Sequence, residues 1–433
     1  MNTPVHVAFG KGVVEIDADP LLADWTVIRP KAELGLADPQ AAFVAACRHP
    51  IGAMQLREII KPDDKVVVVT ADGTRPVPNH LLIPWLLAEL PIPPAQVTVL
   101  IGTGSHRPNT DAEIESMFGR AVARQITILN HDAFEPTGNC EVGRLRDGTP
   151  VRIDRRYVEA DKRIVLGFIE PHFLAGFSGG AKAVVPGLAD INLIHRIHNF
   201  DLIGNSGCTW GRIDGNPMRD LIEDAVHLCP PEFMVNVTLN SSKEITAVFA
   251  GDYVMAHREG CRFSATAAMQ EVPHSFPIVV TSNSGFPLDQ NLYQTVKGIA
   301  AAIRIVEEGG TIIVCSECVD GIPAHGRFAE LMQKATTPLG VLSWIKAQPT
   351  VISDQWQAQL LSQYLLKTDI LLHTRMDRAS AAACKIRVID DVNAELRQII
   401  RIHGGHPRIA ILPDGPITIP YIHQGAPRWP QLF

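Results

Sequence analysis

The sequence has little of what marks secreted, membrane or nucleic-acid-binding proteins. Eight cysteines are scattered over 433 residues, which is too few for a disulfide scaffold. Apolar stretches are all too short to span a bilayer, and residues 1–30 lack the basic start and apolar core of a signal peptide. The formal net charge is −7, and lysines and arginines form no cluster that suits a phosphate backbone. These absences predict a cytoplasmic protein with no nucleic-acid or membrane partner.

One CxxC pair, Cys315 and Cys318, raises the question of a metal or redox centre. A zinc site normally needs a second pair of ligands nearby, and a thioredoxin-like centre needs the pair at the start of a helix. Cys315 instead ends an apolar run that reads as a strand. We therefore interpret the two cysteines as thiols at the end of a strand.

The pattern along the chain is typical of an α/β protein. Short β-branched runs alternate with helical patterns, and near-continuous apolar strands indicate mostly parallel sheets flanked by helices. Predicted strands cover 65–70, 96–101, 125–129, 163–167, 277–281, 311–315 and 369–373. Predicted helices cover 78–90, 110–118, 288–308 and 355–367. Thr110 and Glu113 have the spacing of a capping box at the start of the second helix, and the third helix is predicted to end at Gly309-Gly310.

The length of the chain allows two domains of roughly 150 to 270 residues each. Pro273 and Pro277 interrupt helical continuity just before a new series of strands begins. We therefore place the boundary near residue 270, with domains 1–270 and 271–433.

Reactive side chains directly follow two of the predicted strands, where ligands bind in open α/β sheets. Asp72 and Arg75 follow the first strand: Arg75 has a planar fork suited to a carboxylate or phosphate, and Asp72 could orient that fork or accept a substrate proton. His106 follows the next strand among glycines that permit close approach of a ligand. Taken singly, each would more often be a surface ion pair or a structural histidine.

A third strand leads to His172 and then to a glycine-rich loop that contains Lys182. The lysine lies ten residues after His172 and sixteen before His198. A primary amine can form a covalent bond to a cofactor or carbonyl, and imidazoles serve as acid–base groups or metal ligands. A glycine loop with one lysine would alone predict a turn before a solvated helix. Three strand ends with such residues instead predict that they converge on one cleft.

These segments resemble, in order, the motifs of the nickel-pincer-nucleotide lactate racemase (LarA) family. The matching segments are Asp72-Gly-Thr-Arg75-Pro, Gly-Ser-His106-Arg-Pro-Asn-Thr, Glu-Pro-His172-Phe-Leu-Ala-Gly-Phe-Ser-Gly-Gly-Ala-Lys182 and Tyr293-Gln294-Thr-Val-Lys297. The resemblance extends to Gly215-Asn-Pro-Met-Arg, the neighbourhood of Asn240, Phe249-Ala-Gly-Asp252, Trp356-Gln-Ala and Leu412-Pro-Asp-Gly-Pro. Several long motifs in order are much more specific than a single glycine motif.

The resemblance implies a racemase or epimerase of a 2-hydroxy acid, either lactate or a larger hydroxy or sugar acid. It would act by reversible hydride transfer through a 2-keto acid. The implied cofactor is a nickel-pincer nucleotide attached at Lys182, with His198 completing the nickel coordination. Ser178, Gly179 and Gly180 would approach the cofactor with backbone N–H groups. The enzymes that assemble this cofactor would be transient partners.

The resemblance also implies roles around the substrate. His106 and His172 would be the two acid–base groups, each serving one configuration of the hydroxyl. Arg75, with Asp72 beside it, would bind the substrate carboxylate. The second domain would complete a cleft between the domains with polar anchors on one helical face, which are Tyr293, Gln294 and Lys297.

Several points stay open at the level of sequence. His195 shares a helical face with His198 and could also face the metal, although the spacing favours His198. Trp356 either lines the cleft or packs within the second domain. One alternative function is a zinc hydrolase with His106, His172 and His198 around an activated water, which leaves Lys182 without a role. The other is a non-catalytic protein that binds a carboxylate or nucleotide.

Overall fold

A computed structural model of the chain describes residues 4–323 and 326–422. The strands are β1 Val5–Phe9, β2 Gly12–Ile16, β3 Asp24–Val27, β4 Val66–Ala71, β5 Val97–Gly102, β6 Thr127–Asn130, β7 Asn139–Arg144, β8 Pro150–Asp154, β9 Lys162–Phe168, β10 Pro171–His172, β11 Gly176–Phe177, β12 Phe233–Leu239, β13 Ile245–Gly251, β14 Met269–Val272, β15 Phe276–Ser282, β16 Val306–Cys315, β17 Asp369–His373, β18 Arg387–Ile389, β19 Arg408–Leu412 and β20 Ile419–Ile422.

The helices are α1 Pro39–Arg48, α2 Leu56–Ile59, α3 Asn79–Glu89, α4 Asp111–Phe118, α5 Arg120–Gln125, α6 Arg155–Val158, α7 Ile191–Ile197, α8 Phe200–Gly204, α9 Pro217–His227, α10 Met255–Ala268, α11 Leu292–Ala302, α12 Phe328–Met332, α13 Pro338–Lys346, α14 Gln355–Leu365, α15 Arg378–Ala383 and α16 Val392–His403. In the described ranges, every helix is too short or too polar to cross a membrane.

The chain forms two compact units. The Lys182 unit comprises Ala32–His198 and Gly207–Thr266, and the Lys297 unit comprises Met1–Lys31, Asn199–Ser206 and Ala267–Phe433. The predicted domains 1–270 and 271–433 differ from these units, because the N-terminal segment groups with the C-terminal part of the chain. The reason is a long-range pairing of β3 with β19, which local sequence patterns do not reveal.

The Lys182 unit is built on a sheet with the strand order β13-β12-β9-β4-β5-β6. All neighbouring strands are parallel except β13, which pairs antiparallel with β12. The valines of β4 are buried throughout, as expected for a strand covered on both faces. Because β9, β4 and β5 are adjacent and parallel, the residues that follow them meet at one edge of the sheet. That edge carries the predicted reactive side chains.

The Lys297 unit contains a second parallel sheet, with the order β18-β17-β16-β15-β19-β3. Its core includes Ile278, Ile313, Leu371 and Ile411, all buried on the central strands. The mixed α/β class with mostly parallel sheets, predicted from sequence, is therefore confirmed.

Most predicted elements are present. The seven predicted strands correspond to β4, β5, β6, β9, β15, β16 and β17, and three of the helices correspond to α3, α4 and α14. The predicted capping box at the start of α4 is also confirmed, because Thr110 Oγ1 accepts from Glu113 N at 3.3 Å and Thr110 N donates to Glu113 Oε2 at 2.8 Å. Cys315 ends β16, and both it and Cys318 are buried thiols.

The helix predicted over residues 288–308 is wrong at both ends. Helix α11 starts at Leu292 and stops at Ala302, and β16 begins at Val306, which pairs with Phe276. The register then shifts so that Thr311 pairs with Ile278. Gly309, at φ +72°, therefore lies in an irregularity of a strand and not at the end of a helix.

Candidate active site

Asp72 is the first residue after β4, and its buried carboxylate holds two side chains. Oδ1 accepts from Thr74 Oγ1 at 2.6 Å, and Oδ2 lies 2.7 Å from Nδ1 of His106. Burial alone would raise the pKa of Asp72, but the hydrogen bond and charge of His106, with the Thr74 bond, lower it below its usual value. Asp72 is therefore ionised and can only accept hydrogen bonds.

Asp72 determines which ring nitrogen of His106 carries the proton. Because an ionised carboxylate cannot donate, Nδ1 of His106 donates to Asp72. In the neutral ring the lone pair then lies on Nε2. About half of the His106 side chain is exposed, so this ring combines a fixed tautomer with an accessible surface.

Arg75 is oriented differently from the sequence expectation. Its backbone N–H donates to Asp72 O, whereas its guanidinium Nε lies 4.0 Å from Glu170 Oε1. The carboxylate of Asp72 is hydrogen-bonded to His106 and Thr74 and not to this fork. Arg75 is about three-quarters buried, with a loose ion pair to a partly exposed glutamate, which leaves its fork suited to bind a further anion.

His172 lies in the short antiparallel pairing of β10 with β11, opposite Gly176. Its Nδ1 accepts from the backbone N–H groups of Leu174, at 3.2 Å, and Ala175, at 3.1 Å. A nitrogen that accepts two N–H groups carries a lone pair, so in the neutral ring the proton is on Nε2. The arrangement is the reverse of that at His106.

Lys182 is part of a 3₁₀ turn, Gly180–Ala183, that packs against β4, β9 and α9. The chain after this turn contacts the His106 loop, because Gly104 N donates to Gly187 O at 3.0 Å. Gly187 is required there, since a Cβ would lie 2.0 Å from Ala183 O. This close packing holds the Lys182 turn against the end of β5.

His198 caps the C-terminus of α7 and is electrostatically coupled to the other candidate groups. Burial, with smaller contributions from the positive charges of Lys182, His195 and His106, lowers its pKa to about 4, although the hydrogen bond to Ile194 opposes this shift. Nδ1 donates to Ile194 O at 2.9 Å, so in this neutral ring the lone pair is on Nε2. His106, Lys182 and His198 thus lie in the same unit and interact electrostatically, and their roles in one site stay a prediction.

Two of the predicted backbone donors are occupied within the protein. Ser178 N donates to Glu170 O at 2.9 Å, and Gly180 N donates to Asn236 Oδ1 at 2.9 Å. In this conformation the backbone N–H groups of Ser178 and Gly180 are therefore not available to the cofactor, and contact of this loop with the cofactor stays a prediction. The loop folds back on β9 and β12, and its amides are used in holding that conformation.

The predicted anchors of the Lys297 unit lie together on α11. Lys297 Nζ donates to Gln294 Oε1 at 2.6 Å, and Tyr293 OH accepts from Trp356 Nε1 at 3.0 Å. Gln357 Nε2 donates to Tyr293 O at 2.8 Å, which ties α14 to α11. Trp356, whose role was open, is buried and fixes the Tyr293 hydroxyl.

Four residues of the Lys182 unit were not assigned by sequence reasoning. Glu170 faces Arg75, and three buried side chains contact the glycine loop, which are Asn236, Arg219 and His257. Glu170 and Arg219 stand within motifs quoted above, so a signal existed for them. Asn236 and His257 lie in an apolar strand and a helix whose local pattern contains no sign of this contact.

The zinc-hydrolase alternative finds no support in this geometry. Over residues 4–323 and 326–422, no group of three or more histidine, cysteine, aspartate or glutamate side chains is arranged to hold a metal ion.

Comparison with known proteins identifies the family. Residues 9–211 match the family described as the lactate racemase N-terminal domain, and residues 272–419 match the lactate racemase C-terminal domain. The chain is 35% identical to a lactate racemase of Thermoanaerobacterium thermosaccharolyticum, over 86% of this chain and 88% of the relative. It is 32% identical to a lactate racemase of Lactiplantibacillus plantarum, over 85% of this chain and 87% of the relative.

Solved structures agree with these matches. The structure of the lactate racemase apoprotein from Thermoanaerobacterium thermosaccharolyticum matches with a TM-score of 0.89 at 30% identity, covering 96% of this chain and all of that one. A crystal structure of a Thermotoga maritima protein shares the fold, with a TM-score of 0.65 at 18% identity over 90% of this chain and all of that one. The chain therefore belongs to the lactate racemase family of isomerases.

Proposed function

We propose that this protein racemises or epimerises a 2-hydroxy acid with a nickel-pincer nucleotide attached to Lys182. The observation that supports this most strongly is the group at the carboxyl edge of the β9-β4-β5 strands. There, an Asp72-bound His106 and the Lys182 turn are coupled to His198. Lactate is the first substrate to test, because two relatives are named for it. Larger hydroxy acids and sugar acids come next.

The residues present fit the proposed cofactor. His198 has the arrangement common among metal-binding histidines, with one ring nitrogen donating to a backbone carbonyl and the other carrying the lone pair. Its low pKa keeps the ring neutral near pH 7, as metal binding requires. Imidazole nitrogen is a suitable ligand for nickel. Lys182 supplies the amine for a covalent link.

When bound, the cofactor would accept hydride from C2 of the substrate and return it to either face, which avoids a carbanion next to a carboxylate. Nε2 of His106 is arranged to take the hydroxyl proton as C2 becomes a carbonyl carbon. Asp72 holds the ring in this tautomer and stabilises the imidazolium that results. We therefore assign Asp72 to holding His106 and not to binding substrate.

His172 and Arg75 have complementary tasks in this proposal. The Nε2–H of neutral His172 can donate to the substrate oxygen. For His172 to take a proton from the opposite enantiomer, as the family resemblance implies, its ring must exchange tautomer. Arg75 would bind the substrate carboxylate through its fork. Roles for Tyr293, Gln294 and Lys297 as substrate anchors stay predictions from the motif resemblance.

The proposal includes a cytoplasmic location and transient contact with the enzymes that assemble the cofactor. Eight free cysteines suit a reducing compartment.

The test is intact mass and metal content of protein co-produced with the cofactor-assembly enzymes. We expect a mass adduct that maps to Lys182, together with near-stoichiometric nickel. Lys182→Ala should lose the adduct, and Lys162→Ala, a control on β9 of the same unit, should keep it. The loaded protein should then interconvert the enantiomers of lactate or of a larger 2-hydroxy acid.

Two results would contradict the proposed function. An unmodified Lys182 without nickel, while a lactate racemase loads normally in parallel, would contradict the proposal. Binding of a carboxylate that survives loss of both His106 and His172, with no isomerisation, would point to a non-catalytic binding protein instead.

A further inference from the structure

The loop that leads to Lys182 is held by a set of buried side chains that the proposed chemistry does not use. Five successive carbonyl groups, from Leu174 to Ser178, accept hydrogen bonds from other segments. The donors are Asn216 Nδ2, Arg219 Nε, Gly211 N, Arg219 Nη2 and His257 Nε2. Leaving this conformation would break these hydrogen bonds, so they hold the loop in place.

Arg219 is the unusual member of this set. The side chain is fully buried, donates through Nε to Ala175 O at 3.1 Å and through Nη2 to Phe177 O, and leaves Nη1 without a hydrogen-bond partner in the described residues. Among the described residues no carboxylate forms an ion pair with Arg219, and Glu223 interacts with its charge only at longer range. A buried cation whose carboxylate partner lies beyond ion-pair distance is costly to keep in a folded protein, so its presence calls for a task other than stability.

His257 reaches the same loop from α10. Its Nε2 donates to Ser178 O at 2.8 Å, and Cys261 Sγ lies 3.6 Å from Nδ1. The ring also packs directly on the glycine pair: a Cβ at Gly180, where φ is +54°, would lie 2.7 Å from two of its carbons. The His257 ring therefore leaves no room for a side chain at position 180.

The opposite side of the glycine pair is held by Asn236, which accepts from Gly180 N at 2.9 Å. Arg219 and His257 thus bind the carbonyls just before the pair, and Asn236 binds the amide within it. Lys182 follows two residues later, with its own N–H donating to Gly179 O at 3.2 Å. The orientation of the Lys182 turn is consequently a result of these contacts.

We propose that Arg219 and His257 are positioning residues, which hold the glycine loop in the conformation that lets the Lys182 amine take up the cofactor. They act through backbone carbonyls and touch neither substrate nor reacting atoms. This inference rests on the proposed attachment at Lys182, and it goes further by naming side chains on α9 and α10 on which attachment depends.

The first experiment follows covalent loading at Lys182 by intact mass, at a temperature well below the melting point of every variant. Outer contacts of this kind typically change metal affinity or activity 10–100-fold, so we expect Arg219→Ala to load at least about tenfold more slowly than the wild type. Arg163→Ala is the matched control: Arg163 is a mostly buried arginine of the same unit that pairs with Glu232 at 2.5 Å. It should load at the wild-type rate.

A chemical rescue separates positioning from a general loss of packing. Ethylguanidinium should restore loading of Arg219→Ala, whereas sodium chloride at the same ionic strength should not. Loading of Arg219→Ala at the wild-type rate, or equal slowing in Arg163→Ala, would overturn the proposal.

His257 gives a second route if Arg219→Ala does not fold. The amide of glutamine can still donate to Ser178 O, so His257→Gln should load faster than His257→Leu, which cannot donate. Equal rates for these two variants would count against a role for the hydrogen bond.

A last readout needs no cofactor. Acylation of Lys182 in the apoprotein, measured by peptide mass relative to Lys162, should differ between Arg219→Ala and the wild type and stay unchanged in Arg163→Ala. An unchanged ratio in Arg219→Ala would refute the positioning role even if the wild-type protein itself never loads. Failure of the wild type to load would refute the proposed function instead, so the two failures are distinguishable.

Discussion

His106 and His172 follow strands of the same parallel sheet, yet their rings are hydrogen-bonded in opposite senses. Nδ1 of His106 donates to the carboxylate of Asp72, whereas Nδ1 of His172 accepts two backbone N–H groups. In the neutral rings, Nε2 of His106 is therefore a proton acceptor and Nε2 of His172 a proton donor. The comparison shows that hydrogen-bond partners alone can give two histidines opposite tautomers, which supports the opposite roles proposed for them.

The difference has local causes. The His106 loop lies next to the end of β4, where Asp72 is buried and ionised. His172 instead precedes a turn whose first amides, at Leu174 and Ala175, point back to its ring. A carboxylate partner stabilises a developing imidazolium, and amide donors oppose one. A mechanism that uses the two rings symmetrically would need His172 to change its hydrogen bonds during turnover.

The largest expected effect comes from removing either ring. His106→Ala and His172→Ala should each lower kcat by roughly 10²–10⁴-fold, the usual contribution of a positioned acid or base. His106→Ala should keep the adduct at Lys182, because the His106 ring does not bind the loop from Leu174 to Ser178. His172→Ala removes the acceptor of the Leu174 and Ala175 amides, so its rate is compared per loaded enzyme. Steady-state kinetics with both enantiomers, together with intact mass, checks this. Loss of the adduct in His106→Ala would show that this ring serves loading and not proton transfer.

Glutamine substitutions sharpen the contrast between the rings. A glutamine amide can donate a hydrogen bond but is a very weak base. His172→Gln should therefore retain more activity than His106→Gln, by about tenfold or more. The kcat values of the two loaded variants make the comparison. Equal losses would mean that His172 accepts protons as His106 does, so that the difference between their hydrogen bonds has no catalytic consequence.

Asp72→Asn should have a smaller effect on rate, about 10–100-fold, because the ring of His106 stays but its tautomer is no longer fixed. Arg75→Gln is a useful comparison, since loss of the carboxylate-binding fork should raise KM more than it lowers kcat. If Asp72→Asn changed KM alone, Asp72 would be a substrate ligand and not the partner of His106.

The pH dependence of stability should also change in Asp72→Asn. The pKa of Asp72 is lower in the folded protein than in the unfolded chain, so its contribution to stability is present above the unfolded value and is lost as the pH falls through the folded value. Thermal melts between pH 7 and strongly acidic pH should therefore show a shallower acid decline for Asp72→Asn than for the wild type. Parallel curves would contradict an ionised, hydrogen-bonded Asp72.

The smallest expected effect is that of Thr74→Val. This variant removes the hydroxyl that donates to Asp72 at 2.6 Å, at a cost of about 1 kcal/mol in the free energy of unfolding. Activity should change little, because the bond from His106 to Asp72 remains. Chemical denaturation and kcat measure the two quantities. A loss of activity as large as in Asp72→Asn would show that Thr74, too, is needed to hold His106.

The sequence was enough to predict which residues follow the strands at the edge of the sheet, but not which side chains contact one another there. The strand ends before Asp72, His106 and His172 could be predicted, because apolar runs and turns are recognisable from a few neighbouring residues. The hydrogen-bond partner of Asp72 could not be predicted, because Arg75 is near it in sequence whereas His106 is near it only in the fold. The capping box at Thr110 was predictable because it depends only on residues close in sequence. The structure at Gly309-Gly310 was not, because the pairing of β16 with β15 decides it.

The residues behind the glycine loop show the same limit. Asn236 and His257 contact Gly180 N and Ser178 O across 56 and 79 residues of chain, respectively. In sequence, the first lies in a buried strand and the second in an ordinary helix. Only the three-dimensional fold brings them to the Lys182 loop.

The most direct test of the contrast between the two histidines is ¹⁵N NMR of the apoprotein with labelled histidine, assigned with His106→Gln and His172→Gln. Near neutral pH, the neutral ring of His106 should carry its proton on Nδ1, and that of His172 on Nε2. Finding both neutral rings in the same tautomer would contradict the opposite preparation of the two histidines, and with it the roles assigned to them here.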